Sequence, residues 1–568
     1  MKIIQYVIVV LLSALILGCA NQTTPSGGDK DTIPPKLIQS NPPDRQINFN
    51  KDEIELTFDE AIQINNAREQ ILITPSIGKK FEALARKNKV TLKLNTTLSE
   101  NTTYTISFRE SIQDLTEKNS VTNFKLAFST GPYIDSLSIE GFVYDIRKGT
   151  RVKNYTVAAF PYSDTLDIFS HEALWITLTG EKGEFTMDNL KAGEYILYAF
   201  DDKSKNLIVD SKTESYGFFA NPINLQETQK GLEIPVLSLD TRPLKLISAK
   251  PLSSYYNIRF SKGISSYEIT TDDSHEKIYS LQEDAETLKI YNTFTDLDSM
   301  QFRLLCKDSI ENSIDTLLYL KFNEQSSSKE KFSANLSDVN YYESTAQLKG
   351  ILVFNKPINF TGYDSIYIQT DSTSFIRFSS EDFKWNNNLT QLTLEKTFPK
   401  GTSFITQPPP RTTGQRRGDP LPEKSDKEQK SKTPLYNQPI FPKGTFISIE
   451  QDSSSTIQSP VTIVKQENSG TILIDVKTTE KIIVEILTKG YTVVKQSPLY
   501  QPRFDNLPPG DYQIRVIIDK NENGKWDPGN YFIKQEPEPI IYYKTENNEQ
   551  IVNIKANWEL GPLLITPQ

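Results

Sequence analysis

Leu56-Thr57-Phe58-Asp59-Glu60-Ala61-Ile62 decides the fold of this chain. An apolar residue, a variable one and a Phe form half a β-strand of period two. A short polar break then leads into a second apolar pair. The same pattern returns as Ile258-Arg259-Phe260-Ser261-Lys262-Gly263-Ile264 and as Leu352-Val353-Phe354-Asn355-Lys356-Pro357-Ile358. Roughly thirty residues after each copy stands a second alternating run. These runs are Leu92-Lys93-Leu94, Leu288-Lys289-Ile290 and Leu392-Thr393-Leu394, each followed by a polar turn. A chain that repeats such pairs builds half-buried strands with one face on a core.

In the first copy Tyr104–Phe108 and Phe124–Phe128 complete the set. About seven strands in about 100 residues predict an immunoglobulin-like sandwich. A second repeat is independent of the first. Asp188-Asn189-Leu190-Lys191-Ala192-Gly193-Glu194-Tyr195 aligns without a gap on Asp505-Asn506-Leu507-Pro508-Pro509-Gly510-Asp511-Tyr512. At the same offset Asp202, Lys203, Asn206 and Asp210 fall on Asp519, Lys520, Asn523 and Asp527. The Gly supports a tight turn and the Tyr opens the next strand. These modules resemble the transthyretin-like or carboxypeptidase-regulatory-like sandwich.

Composition agrees with an all-β body. There are 26 Tyr and 29 Phe, which favour strands, and 32 Pro, which punctuate them. At 568 residues the chain exceeds what one core can hold. Net charge is −9 with mixed signs and no basic patch, which argues against a nucleic-acid partner.

The N-terminus reads as an export signal. Lys2 precedes an apolar run from Tyr6 to Leu17, then Gly18 and Cys19. Leu15-Ile16-Leu17-Gly18-Cys19 resembles a lipobox, which implies acylation of Cys19 and a membrane partner reached through that lipid. Each buried acyl CH₂ contributes about 0.8 kcal/mol to anchoring. The other cysteine, Cys306, lies in an apolar run and is expected to be a buried, inert thiol.

Ser26-Gly27-Gly28-Asp29-Lys30-Asp31-Thr32-Ile33-Pro34-Pro35, then Asn41-Pro42, then Phe58-Asp59-Glu60, is similar to the opening of Bacteroidetes-type lipoproteins with a bacterial Ig-like domain of the surface-layer-protein kind. Asp519 to Gly529 and Asn557-Trp558-Glu559 resemble that family's ending. The resemblance implies outer-membrane anchoring and a noncatalytic scaffold, spacer or adhesin role. A carbohydrate- or peptide-binding accessory of an uptake or secretion system is the alternative. The partner would then be an envelope protein or a glycan. Ala20-Asn21-Gln22-Thr23-Thr24 lacks early acidic residues, which favours the periplasmic face.

The expected organisation is a signal peptide over 1–18 and a lipidated tether over 19–32. An Ig-like sandwich over 33–132 and a transthyretin-like one over 133–240 follow. A divergent Ig-like module over 241–334 precedes an Ig-like module over 335–469. A transthyretin-like module over 470–568 ends the chain. Residues 406–440 are Pro-rich and charged, and disorder is expected there.

Catalysis has few candidates. His171 and His275 are far apart, and no nucleophile elbow, zinc helix or phosphate loop occurs. The one ligand candidate is Asp519-Lys520-Asn521-Glu522-Asn523-Gly524-Lys525-Trp526-Asp527. Side-chain oxygens at its first, third, fifth and ninth positions, with Gly at the sixth, follow a calcium loop. Asp519, Asn521, Asn523 and Asp527 would supply side chains and Lys525 its carbonyl. Position twelve is Asn530 and not Glu, so Ca²⁺ would be held weakly. No other cofactor is expected. An Asp-Ser/Thr-apolar triplet resembles an O-glycosylation site of the same bacterial group, with acceptors Thr32, Ser136, Thr165, Ser309, Thr316 and Ser365.

Overall fold

The computed structural model describes residues 30–163, 165–252, 255–271, 278–282, 284–291, 299–321, 330–369, 374–399, 437–465 and 468–567. The protein is all-β. Among the described residues helix is confined to single turns such as Ala67–Gln70.

The first repeat reappears as geometry. In all three copies the two signatures lie on directly paired antiparallel strands. Strand Glu53–Phe58 pairs with Lys89–Leu94, setting Leu56 opposite Val90. Tyr255–Phe260 pairs with Thr287–Tyr291, and Gln347–Phe354 with Gln391–Thr397. Each pair is flanked in the same order, by the strand before the first signature and the strand before the second. Alternation does what the pleat requires: Ile54, Leu56 and Phe58 are buried while Glu53 is exposed. Each fully buried Leu or Phe contributes about 1.5–3 kcal/mol through removal from water. A second sheet closes each core. In the first copy Leu72–Thr74, Thr103–Ser107 and Lys125–Ser129 bring Tyr104, Ile106 and Phe128 against the first sheet.

The second repeat is also matched strand for strand. One copy has the order Trp175–Leu178, Thr156–Pro161, Gly193–Phe200, Tyr216–Phe218, with Ile223–Leu225 also on Gly193–Phe200. The other has Val493–Ser497, Ile482–Thr488, Gly510–Ile518, Ile540–Tyr542, with Ile551–Ile554 on Gly510–Ile518. In both, the facing sheet ends with a late strand parallel to an early one. The turn itself is identical. Asn189 and Asn506 take φ of 59° and 56°. Tyr195 Oη donates to Lys191 O at 2.9 Å, and Tyr512 Oη to Pro508 O at 2.7 Å.

The linear order of modules does not foretell how they meet. The two turn-bearing units pack on each other across more than two hundred residues of chain. Ile146 and Leu237 share an apolar cluster with Ile483, Leu487, Ile517, Ile540 and Tyr542. Gln550 Nε2 donates to Gly149 O at 2.9 Å, and Tyr542 Oη to Arg147 O. Tyr531 enters the core beside Phe169 and Phe218.

The end of the Pro-rich segment corrects the expected boundary. Residues 406–436 lie outside the described residues, but Pro439–Phe441 is a strand paired with Tyr367–Gln369. Asn437 and Pro439 are buried. Apolar Ile440 and Phe441 can join the sandwich, so the polar composition argument stops before them.

Candidate functional site

The loop after strand Gly510–Ile518 is closed by its own polar groups. Asp519 is buried and accepts the Asn523 N–H at 3.1 Å and the Gly524 N–H at 2.8 Å. Gly524 has φ of 78°, a left-handed conformation in which Gly escapes the Cβ penalty. Asp527 turns inward: its Oδ2 accepts from Asn521 Nδ2 at 2.5 Å and Asn523 Nδ2 at 2.7 Å. The four predicted side chains therefore meet in one loop, with the two amides presenting N–H to Asp527 while their oxygens accept the Asn523 N–H at 3.2 Å and the Lys525 N–H at 2.9 Å. A half-turn of either amide would present oxygen instead. Asn530 is engaged elsewhere, donating to Ile310 O at 2.9 Å and accepting the Phe532 N–H at 3.0 Å.

Glu538 was not legible as part of this loop. It is buried beneath it, with Oε1 accepting the Lys520 N–H at 2.7 Å and Oε2 the Asp527 N–H at 3.0 Å. Burial, with the Asp527 charge, pushes the Glu538 carboxyl above its usual range, against the pull of these N–H donors. No fixed spacing links Glu538 to Asp519, so a motif scan has no purchase on it. Among the described residues no group of three or more His, Cys, Asp and Glu side chains is arranged to hold a metal ion. Any cation here would depend on the amides and carbonyls of the loop.

The earlier copy keeps the frame and changes the filling. Asp202 accepts the Asn206 N–H at 3.1 Å and the Leu207 N–H at 3.2 Å. Glu214 lies beneath, accepting the Ser204 N–H at 3.1 Å and the Asp210 N–H at 3.0 Å. Asp210, however, turns into its own local turn. It accepts the Lys212 N–H at 3.0 Å and the Thr213 hydroxyl at 2.8 Å.

Of the other predicted sites, Cys19 and His275 lie outside the described residues. Thr32, Ser136, Thr165, Ser309 and Ser365 are exposed, whereas Thr316 is half-buried within strand Ser313–Lys321. Ser365 Oγ is engaged with Gly362 O at 2.6 Å and Thr445 Oγ1 at 3.0 Å. His171 is exposed in a turn with Asp167. Cys306 is buried, and burial pushes its thiol up to about 11, so it carries little thiolate at neutral pH.

Residues 31–130 match the family model described as "Bacterial Ig-like domain". This stretch holds both signatures of the first repeat. A search of curated proteins found no match. Among solved structures, the major pilin subunit BcpA of Bacillus cereus aligns at 10% identity with a TM-score of 0.15, over 76% of this chain and 99% of the pilin. Domains 1–6 of the surface layer protein SbsC align at 10% identity with a TM-score of 0.14, over 91% of this chain and 68% of that one. Likenesses at these TM-scores carry no argument. No helix among the described residues is long and apolar enough to cross a membrane.

Proposed function

We propose that the chain is a noncatalytic outer-membrane lipoprotein, held through acyl chains on Cys19, that serves as a scaffold or adhesin of the bacterial envelope. Its units are the modules 33–132, 133–240, 241–334, 335–469 and 470–568. The supporting observation is the docking of the two turn-bearing modules on each other. A chain folded back in this way is a braced body that presents its sandwich faces in fixed relation, and not a string of free modules. The match of residues 31–130 to bacterial Ig-like domains supports an envelope setting. The periplasmic face is preferred, from the lack of acidic residues at Ala20-Asn21-Gln22-Thr23-Thr24. The exposed acceptors Thr32, Ser136, Thr165, Ser309 and Ser365 are proposed glycosylation sites, and the Asp519 loop a weak Ca²⁺ site.

The test is fractionation of cells carrying Cys19→Ser, with mass spectrometry of the mature N-terminus and crosslinking in intact cells. Release from the membrane and loss of lipid are expected. Unchanged membrane retention with no lipid on Cys19 would sink the anchoring.

A second reading, a carbohydrate- or peptide-binding accessory, is favoured by one specific feature: a cleft between the first two modules.

A further inference from the structure

The cleft has a volume of about 770 Å³, within the range of small-ligand sites. One wall is the segment Arg68–Ile73 of the first module. The other is strand Trp175–Leu178 and the loop 202–207 of the second. Contacts at both ends fix its width. Thr74 Oγ1 donates to Ile176 O at 2.8 Å and the Ser76 N–H to Leu174 O at 2.6 Å. Lys205 Nζ meets Glu69 Oε1 at 2.6 Å. The cleft therefore exists before any ligand arrives.

Two groups in its lining are underused. Arg109 is half-buried and held at φ of 48°, a strained conformation for a non-Gly residue. Its guanidinium makes one side-chain hydrogen bond among the described residues, from Nη2 to Asn154 Oδ1 at 3.4 Å. Five donors in a planar fork suit a bidentate oxyanion. Among the described residues no carboxylate forms an ion pair with them; desolvation lowers the guanidinium pKa, against the weaker pull of the Glu110 charge. Gln70, in the same lining, buries its Oε1 with no donor. The acids of the cleft do not compete strongly. Glu69 is neutralised by Lys205, and Asp202 accepts two backbone N–H groups. Glu172 is exposed, and the cations Arg68 and Lys79 also line the cleft.

We propose that this cleft binds an acidic saccharide, a sugar bearing a carboxylate or phosphate. Arg109 takes the oxyanion, and hydroxyl and amide groups of the lining meet the sugar hydroxyls. The lining mixes hydroxyl and amide groups, among them Thr177, Ser204 and Asn154, with apolar Leu72, Leu178 and Leu207; the first suit sugar hydroxyls and the second the C–H face of a sugar ring. This inference supplies the ligand class for the binding reading and rests on it. Anchoring through Cys19 stands or falls separately.

Isothermal titration of the full chain at low salt tests it, with glucuronate, glucose 6-phosphate, glucose, inorganic phosphate and a tripeptide as probes. Both acid sugars should bind; glucose should bind at least roughly tenfold more weakly, as loss of one charge-assisted hydrogen bond implies, and inorganic phosphate and the tripeptide, which keep an oxyanion but lack the sugar hydroxyls, more weakly by roughly threefold or more. Arg109→Asn keeps a residue that tolerates the left-handed conformation. It should weaken acid-sugar binding at least about tenfold while circular dichroism and the melting curve hold. Gln70→Glu, which sets a charge against the anion, should do the same and decides the matter if Arg109→Asn unfolds. Failure of both acid sugars to bind at millimolar concentration overturns the proposal. So does binding unchanged in both variants. Phosphate or the tripeptide binding as tightly as the acid sugars overturns the saccharide assignment.

Discussion

The loops at Asp202 and at Asp519 share a backbone and differ in one side-chain direction. Each opens with an Asp that caps two successive N–H groups, and each rests on a buried Glu that accepts two more. Lys205 and Glu522 take φ of 53° and 60°, Leu207 and Gly524 of 59° and 78°. A residue as poorly suited to the left-handed region as Leu207 still adopts it. In both loops the Asp cap and the buried Glu together accept four backbone N–H groups. The difference lies in the ninth position. Asp210 serves its own turn, while Asp527 reaches back to Asn521 and Asn523. Only the later loop gathers its polar side chains toward one point.

Calcium should separate the two loops most widely. In the proposed reading the later loop holds Ca²⁺ with a Kd of roughly 10⁻⁴–10⁻³ M, as extracellular modules do. At a hundredfold excess over Kd the stabilisation is about 2.7 kcal/mol. Hydrogen exchange of the full chain reads this as a roughly hundredfold gain in protection over residues 510–518, with none over 193–200. Asp519→Ala should abolish the gain and Asp202→Ala should leave it. Equal protection in calcium and in chelator would leave the later loop a plain hairpin.

In chelator the two Asp substitutions should converge. Each removes one cap from two N–H groups, at a cost of about 1–2 kcal/mol in its own module. Local exchange should show similar losses over 193–200 and 510–518. A loss confined to Asp519→Ala would mean that the shared backbone does not imply a shared energetic role.

Much of this was legible. Leu-x-Phe alternation placed the paired strands, because burial on one face of a pleat leaves a period of two in the sequence. The gapless match of 188–195 to 505–512 placed the two Tyr-closed turns. What stayed hidden depends on contacts distant along the chain. Tyr531 reads as a strand or turn residue, and nothing near it announces a socket formed by Phe169 and Phe218. Lys356 reads as a polar turn residue, yet its ammonium is buried between Glu450 at 2.5 Å and Asp452 at 2.6 Å. Glu538 and the Arg109 cleft are of the same kind. A lone charge in sequence says nothing of the partner that folding will bring to it.

Gly524 offers a smaller contrast. A Cβ at Gly524 would meet no atom within 4 Å, so Gly524→Ala isolates the backbone term. The expected cost is about 1 kcal/mol in protection over 510–518, from a Cβ in the left-handed region. Leu207 already bears this cost, offset by its contact with the core of its module. A cost well above this value would show that Gly524 is needed for something besides its φ.

The smallest effect concerns pH. Glu538 is a carboxyl with a raised pKa in the folded protein, so folding favours its protonated form. Between its unfolded value of about 4.3 and the raised one, the native state binds more protons than the unfolded state. The contribution is therefore full below the unfolded value and lost as pH rises through the folded one. Protection factors over 510–518, referenced to the intrinsic rate at each pH, should fall as pH rises from about 4 toward neutrality. Glu538→Gln cannot titrate and should flatten that fall, at the expense of one N–H acceptor and hence a lower plateau. A slope unchanged in the variant would place the titration elsewhere. It would also leave Glu538 as an acceptor of N–H groups whose charge does not tune the stability of its module.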